Sequence, residues 1–360
     1  MLNGYKIIDA DCHVLEPIEM WETYLEPAFK QRGPSPQMEI DGEKIYFQIS
    51  EALAAEGRKV ILRDYNSYGI YRYDPESQLK AVKKMGIDIT FLYPTMGLWL
   101  FAVDAMDSQL AGALTRAYNN WLRDFCQYEP QIFRGVGAIN LHEPADMVPE
   151  LRRLAELGWK AVFLRPNPTK GRLLSDPAYE PFWSECERLG VAVSIHEGSH
   201  SRLPTAGADR FHTRFALHAC SHPLEMMMAL LALIEGGVLE RHPQLRFGFL
   251  ESGCGWLPYW LWRLDEEYEQ LAWEVESNVK MKPSEYFRRQ CFISVEPKEP
   301  YLEQIIDYIG VDNLIVGSDF PHIDHRPDII GEVVALDDRL SPKTVQKILW
   351  DNPSRFYGLT

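Results

Sequence analysis

The sequence is short of positive charge. Its 360 residues carry 37 Lys and Arg against 52 Asp and Glu, a formal charge of −15. A sequence-independent grip on nucleic acid or on an anionic membrane depends on a positive surface, so neither partner is expected. Cysteine is sparse as well: Cys12, Cys126, Cys186, Cys220, Cys254 and Cys291 are scattered, with no CxxC pair and no short even spacing. That usage fits reduced thiols in a cytoplasmic protein rather than a disulfide scaffold. A basic N-terminal segment followed by an apolar run is missing, and so is an uninterrupted apolar stretch of bilayer length. The expectation is a soluble, cytoplasmic protein whose partner is a small-molecule substrate.

What is present is core-forming material, 46% hydrophobic and 12% aromatic, enough for a substantial folded interior. Short β-branched or aromatic runs alternate with amphipathic ones. Eight runs read as strands: "YKIIDADCHV" from Tyr5, "IDITFLYPT" from Ile87, "FRGVGAIN" from Phe133, "WKAVFLRPN" from Trp159, "VAVSIHEG" from Val191, "RFGFLESG" from Arg246, "CFISVEP" from Cys291 and "NLIVGSDFPH" from Asn313. Helical stretches lie between them, such as those from Pro144, Asp176 and Thr213, several opening on Asp or Pro as helix starts do.

Alternating strands and helices imply a parallel sheet. Against roughly 250 residues for a typical barrel, the chain reads as one (β/α)8 TIM barrel over residues 1–360 with about 110 residues of additions. A doubly wound open sheet is the second choice. The largest addition, 15–75, follows strand one and contains "MEIDGEKIYFQIS", a two-strand pattern around an Asp41-Gly42 turn. It reads as a lid over the barrel mouth, with packing or a dimer contact as alternatives.

In each strand the apolar part comes first and the reactive residues last, so a parallel barrel gathers them at the face where barrel active sites lie. Strand one brings Asp11 and His13, strand four Arg165 and Asn167, strand five His196 and Glu197, strand six Glu251, and strand eight Asp319 and His322. Asp9, Asp11 and His13 fall at alternate positions and share one strand face. Asp11 and His13 can both turn toward one divalent metal ion, zinc first, with iron or manganese as alternatives. A ligand from strand five and a carboxylate from strand eight leave a coordination position open, the mark of a catalytic site. Taken singly, each of these residues also reads as a helix cap or a hydrogen-bonded core group.

The chain resembles the amidohydrolase superfamily, in particular the amidohydrolase-related group that includes aminocarboxymuconate-semialdehyde decarboxylase and the resorcylate-type decarboxylases. The residues that carry the resemblance are "IDADCHVLEP" from Ile8, "VAVSIHEG", "LERHPQLRFGFLESGCGWLPYWLWRLD" from Leu239, "LIVGSDFPH" and "KILWDNPSRFYGL" from Lys347. The resemblance implies Asp11, His13, His196 and Asp319 as metal ligands, with Asp319 also taking a proton from metal-bound water or orienting the substrate. It also implies the homodimers common in that group, a role the apolar Met226–Met228 region suits. One departure stands out: where the decarboxylases carry a catalytic His at the end of strand six, this chain has Glu251, and where resorcylate-type enzymes place a nearby Glu it has Cys254.

Glu251 accordingly reads as a proton-transfer group, as a ligand to a second ion, or as a structural carboxylate, so one or two ions are expected. His218 and His222, four apart on a helix, can aim one imidazole at the site as a proton donor. Arg165 reads as a contact for a substrate carboxylate or phosphate, or as a salt bridge to Glu197 or Glu251. Asn167, His200, Arg202 and His322 are further candidates for substrate contacts.

The leading expectation is a metal-dependent hydrolase, in which metal-activated water, with Asp319 or Glu251 as base, attacks an ester, amide or thioester carbonyl. The alternative is non-oxidative decarboxylation of an aromatic or enoic acid on the same site. A binding protein that has kept its ligands is a third reading, disfavoured by the open ligand position and the lid-sized insertion.

Overall fold

The computed structural model describes residues 1–34, 38–40, 43–45, 74–197, 205–322, 326 and 328–359. All eight strand runs form strands: β1 (Ile8–Val14), β2 (Ile89–Pro94), β3 (Phe133–Ala138), β4 (Ala161–Leu164), β5 (Ala192–Ile195), β6 (Phe247–Phe249), β7 (Cys291–Ser294) and β8 (Leu314–Ile315). Each pairs in parallel with its neighbour in chain order. The continuation of β8 returns to β1, where Ala10 N donates to Val316 O at 2.9 Å and Asp319 N donates to Asp11 O at 2.8 Å. Sequential order with a closing seam makes this a nearly closed (β/α)8 barrel and not a doubly wound sheet.

The helices start where short polar side chains cap them. Asp107 accepts from Leu110 N, and Thr213 from Ala216 N. The C-terminal helix Asn352–Tyr357 crosses the N-terminal end of the barrel. Tyr357 stacks on Phe91 with centroids 3.3 Å apart and donates to Ala10 O at 2.7 Å. Phe356 fills the space above Gly248, where a Cβ would stand 2.5 Å from its ring. The floor is thereby sealed with aromatic side chains.

The helix Arg214–Glu235 is by length and composition apolar enough to cross a bilayer, though His218, His222 and Glu225 interrupt its apolar run. In the fold it lies beside the barrel, with His222, Met226, Leu230 and Leu233 buried and Phe215 and Met228 exposed. Within the insertion, Met38–Ile40 and Glu43–Ile45 pair antiparallel, as an Asp-Gly turn between them requires. The turn itself, the rest of the proposed lid, and His200 and Arg202 lie outside the described residues.

Candidate active site

Four side chains from three parts of the barrel converge at its C-terminal mouth. His13 Nε2 lies 3.3 Å from Asp11 Oδ1 and 3.4 Å from Asp319 Oδ1, and His196 Nε2 lies 3.4 Å from Asp11 Oδ1. His13 Nδ1 donates to Pro94 O at 2.8 Å and His196 Nδ1 to Glu197 O at 2.6 Å. With the proton fixed on Nδ1 in each ring, both Nε2 lone pairs face the centre. Asp11 Oδ1, His13 Nε2 and His196 Nε2 are buried and have no hydrogen-bond partner among the described residues. With both imidazoles neutral these are three acceptors turned on one another, which is costly to bury, and a positive charge at their centre, a metal ion or a proton on His196, removes that cost. Mixed imidazole and carboxylate donors suit zinc, manganese or iron. The residues therefore fit a divalent ion.

The electrostatics agree. Burial opposes ionisation of Asp11, yet His196 and His13 beside it hold its carboxyl well below the usual range. Burial pushes His13 down to about 3, leaving it a neutral ligand. His196 goes the other way: burial lowers it, but the Asp11 and Glu251 carboxylates outweigh that and raise it to about 9. The pull on His196 records an excess of negative charge at the centre, the same excess a bound cation would balance.

The ligand ends are placed by a polar clamp. Asp9 does not face the metal centre; it accepts from Ser318 N at 2.8 Å and Ser318 Oγ at 2.7 Å, tying the tail of β8 to β1 just before Asp319. Asp319 has φ 52° and Glu251 φ 50°, both in the left-handed region that costs a β-carbon residue energy and that recurs at functional sites. His322 Nδ1 stands 2.6 Å from Asp319 Oδ1, its Nε2 is 3.0 Å from Thr95 Oγ1, and its ring stacks on His13 at 3.9 Å. It therefore orients Asp319, a role the sequence reading as a substrate contact did not foresee.

Beyond the ligands a second polar row begins. Glu251 bridges His196 Nε2 at 3.3 Å and His222 Nε2 at 3.4 Å, and His222 Nδ1 is 3.5 Å from Glu197 Oε2. The ring of His218 stacks on that of His222 at 4.3 Å. Asp11, Asp319, Glu251, His222 and His218 all line one cleft of about 320 Å3 at the barrel mouth. The ligand atoms of His13, Glu251, Asp319 and His322 lie within 4.8 Å of one another, as do those of Asp11, His13 and His196.

Two expected substrate contacts turn elsewhere. Arg165 is buried and engaged with Thr169 Oγ1 (2.9 Å), Ala102 O (2.6 Å), Pro168 O (2.7 Å) and Asp104 Oδ1 (2.8 Å), not with Glu197 or Glu251. Asn167 is buried, close enough to Glu225 to oppose the rise that burial imposes on its carboxyl. Cys254 is a buried thiol, pushed up by burial, whose Sγ and backbone N both donate to Glu299. Sequence reasoning missed Tyr93, whose ring stacks on His196 at 5.4 Å, and Thr95. Their position at the end of β2 was the available signal.

A parallel barrel with a buried carboxylate–imidazole cluster at its C-terminal mouth defines a class of metal-dependent barrel enzymes. The chain belongs to the amidohydrolase family, whose model matches residues 8–359. It is 26% identical over 291 residues to 2-amino-3-carboxymuconate-6-semialdehyde decarboxylase of Dictyostelium discoideum, covering 80% of this chain and 77% of that protein. It is 26% identical over 268 residues to gamma-resorcylate decarboxylase of Rhizobium sp. (strain MTP-10005), covering 70% and 79%. Among solved structures it resembles an amidohydrolase from Mycobacterium avium subsp. paratuberculosis K-10, with TM-score 0.80, 21% identity and coverage of 99% and 100%. It also resembles a dihydroxybenzoic acid decarboxylase from Polaromonas sp. JS666 with bound manganese and 2-nitroresorcinol, with TM-score 0.71, 18% identity and coverage of 99% and 97%. Three of these four relatives are named as decarboxylases, which favours the second of the two reactions read from the sequence over hydrolysis.

Proposed function

We propose that the chain is a metal-dependent non-oxidative decarboxylase acting on an aromatic or enoic carboxylic acid. The observation that supports it most is the place of His222. The sequence objection was a missing imidazole at the end of strand six, and His222 brings one to the same cleft from the helix after β5. Asp11, His13, His196 and Asp319 would hold manganese or zinc, which would supply Lewis-acid charge to a bound carboxylic acid.

The chain's own groups do the rest. His322 fixes the Asp319 carboxylate from one side. Glu197 and Glu251 flank the two ring nitrogens of His222 and hold it as a proton donor at Nε2. That proton, directly or through Glu251, goes to the substrate carbon that bears the carboxylate. The bond from that carbon to the carboxylate then breaks, its electrons restore the unsaturated system, and carbon dioxide leaves. We assign Glu251 to proton transfer, since one of its oxygens stands 3.4 Å from His222 Nε2. We also propose a homodimer, with Leu224 and Met228, exposed four residues apart on one helix face, in the contact.

The test joins two measurements on wild type and Glu251→Gln: metal per chain by elemental analysis, and carbon dioxide release from a panel of hydroxybenzoates and enoic acids. The proposal expects about one ion in both proteins and release that falls at least about 100-fold in the variant. Two ions in wild type falling to one in the variant, with ester or amide cleavage and no carbon dioxide, would establish the hydrolase instead.

A further inference from the structure

A second cleft, of about 370 Å3, lies at the opposite end of the barrel between the starts of β3 and β4 and the end of the helix Ser108–Cys126. That is a volume typical of small-molecule pockets. Its walls are largely apolar, with Phe91, Phe133, Leu157, Trp159 and Leu359. Trp159 lies across the cleft because Gly135 leaves room: a Cβ there would stand 2.6 Å from the indole. Arg123, Arg134 and Lys160 also line it, and no carboxylate among the described residues does. In a chain of net charge −15, three cations together run against the overall balance.

The three cations differ in what they already hold. Arg123 is paired with the neighbouring Asp124 at 2.7 Å. Arg134 donates from Nη1 to Pro130 O at 2.5 Å, but its Nε is buried with no hydrogen-bond partner among the described residues. A buried donor left unmade carries a desolvation cost. Nε together with Nη2 forms the edge of the guanidinium that receives a carboxylate through two parallel hydrogen bonds. Lys160 is exposed and adds a mobile charge at the rim.

We propose that this cleft binds a small aryl carboxylate, its ring against Trp159 and Phe133 and its carboxylate on the Arg134 edge beside Lys160. The site is remote from the metal centre and does not depend on which reaction occurs there.

Benzoate is the probe, titrated into metal-loaded protein labelled with 5-fluorotryptophan and followed by fluorine NMR. The resonance of Trp159 is the one missing from Trp159→Phe. The expected result is a saturable shift of that resonance, with a midpoint about tenfold higher in Arg134→Gln. The shift disappears in Leu157→Glu, which adds a carboxylate at an exposed position without disturbing the core. Benzamide, which keeps the ring and loses the charge, is expected to need about tenfold more. A wild-type resonance that does not move, equal midpoints in wild type and Arg134→Gln, or benzamide binding as well as benzoate would each overturn the proposal.

Discussion

Gly317 and Asp11 meet so closely that a Cβ on Gly317 would stand 2.3 Å from that of Asp11 and 3.2 Å from its Cα. The contact follows from the route of the chain: the tail of β8 must cross β1 for Asp319 to reach the ligand cluster, and only a residue without a side chain passes there. Gly317→Ala must push that tail or Asp11 aside, at a cost of about 1–3 kcal/mol. The displaced ligand is expected to weaken metal binding roughly 10–100-fold. Competition between manganese and a chelator measures it, and an unchanged affinity would mean that the seam does not position Asp11.

Acid should act on this fold through His142, a buried imidazole whose Nε2 is 2.8 Å from Val103 O. Burial lowers it from 6.5 to about 4, with Arg165 nearby adding to the effect against the Val103 hydrogen bond. Between those values the unfolded chain binds the proton and the folded chain does not, so stability rises with pH across the window. The contribution is complete above pH 6.5 and is lost as pH falls toward 4. Urea unfolding of wild type and His142→Gln is expected to diverge by up to about 1.4 kcal/mol per pH unit within it. Metal loss is common to both proteins, so parallel curves would rule His142 out as the source.

The barrel was legible because every strand opens on an apolar run and closes on polar residues, a pattern that sets both strand direction and the reactive end. Asp11, His13, His196, Asp319, Glu251 and His222 meet at that end as expected. Strand period identifies an end and a face, but not the partner a long side chain selects. Arg165 sits at the right end and turns to Asp104, 61 residues earlier in the chain. Asp9 alternates with Asp11 and His13 in the sequence but turns to the seam, where Ser318 takes up its carboxylate. The left-handed backbone of Glu251 was not legible at all, and that of Asp319 only as the mild preference Asp has for such a conformation.

The pairing of Arg165 separates a structural group from a substrate contact. A substrate-binding arginine, when removed, raises KM and leaves stability alone. Here Arg165→Met is expected to lower stability by about 1–3 kcal/mol, because the variant strands the Ala102 and Pro168 carbonyls that the buried guanidinium satisfied. Denaturant midpoints measured beside KM decide the matter. A stable variant with a raised KM would restore Arg165 to the substrate.

The backbone of Glu251 stores energy that its side chain puts to use. At φ 50° a residue with a β-carbon is strained by about 1–3 kcal/mol, and here the strain aims the carboxylate between His196 and His222. Glu251→Gly relaxes the backbone and removes a carboxylate from a cluster that already holds Asp11 and Asp319. The metal-free variant is therefore expected to be more stable than metal-free wild type by about 1 kcal/mol, while kcat falls at least about 100-fold. Glu251→Gln separates the two effects, since it keeps the β-carbon and its strain but not the charge. If Glu251→Gly unfolds more easily than Glu251→Gln, the left-handed turn is held by the side chain's contacts rather than against them, and the strain has no functional part.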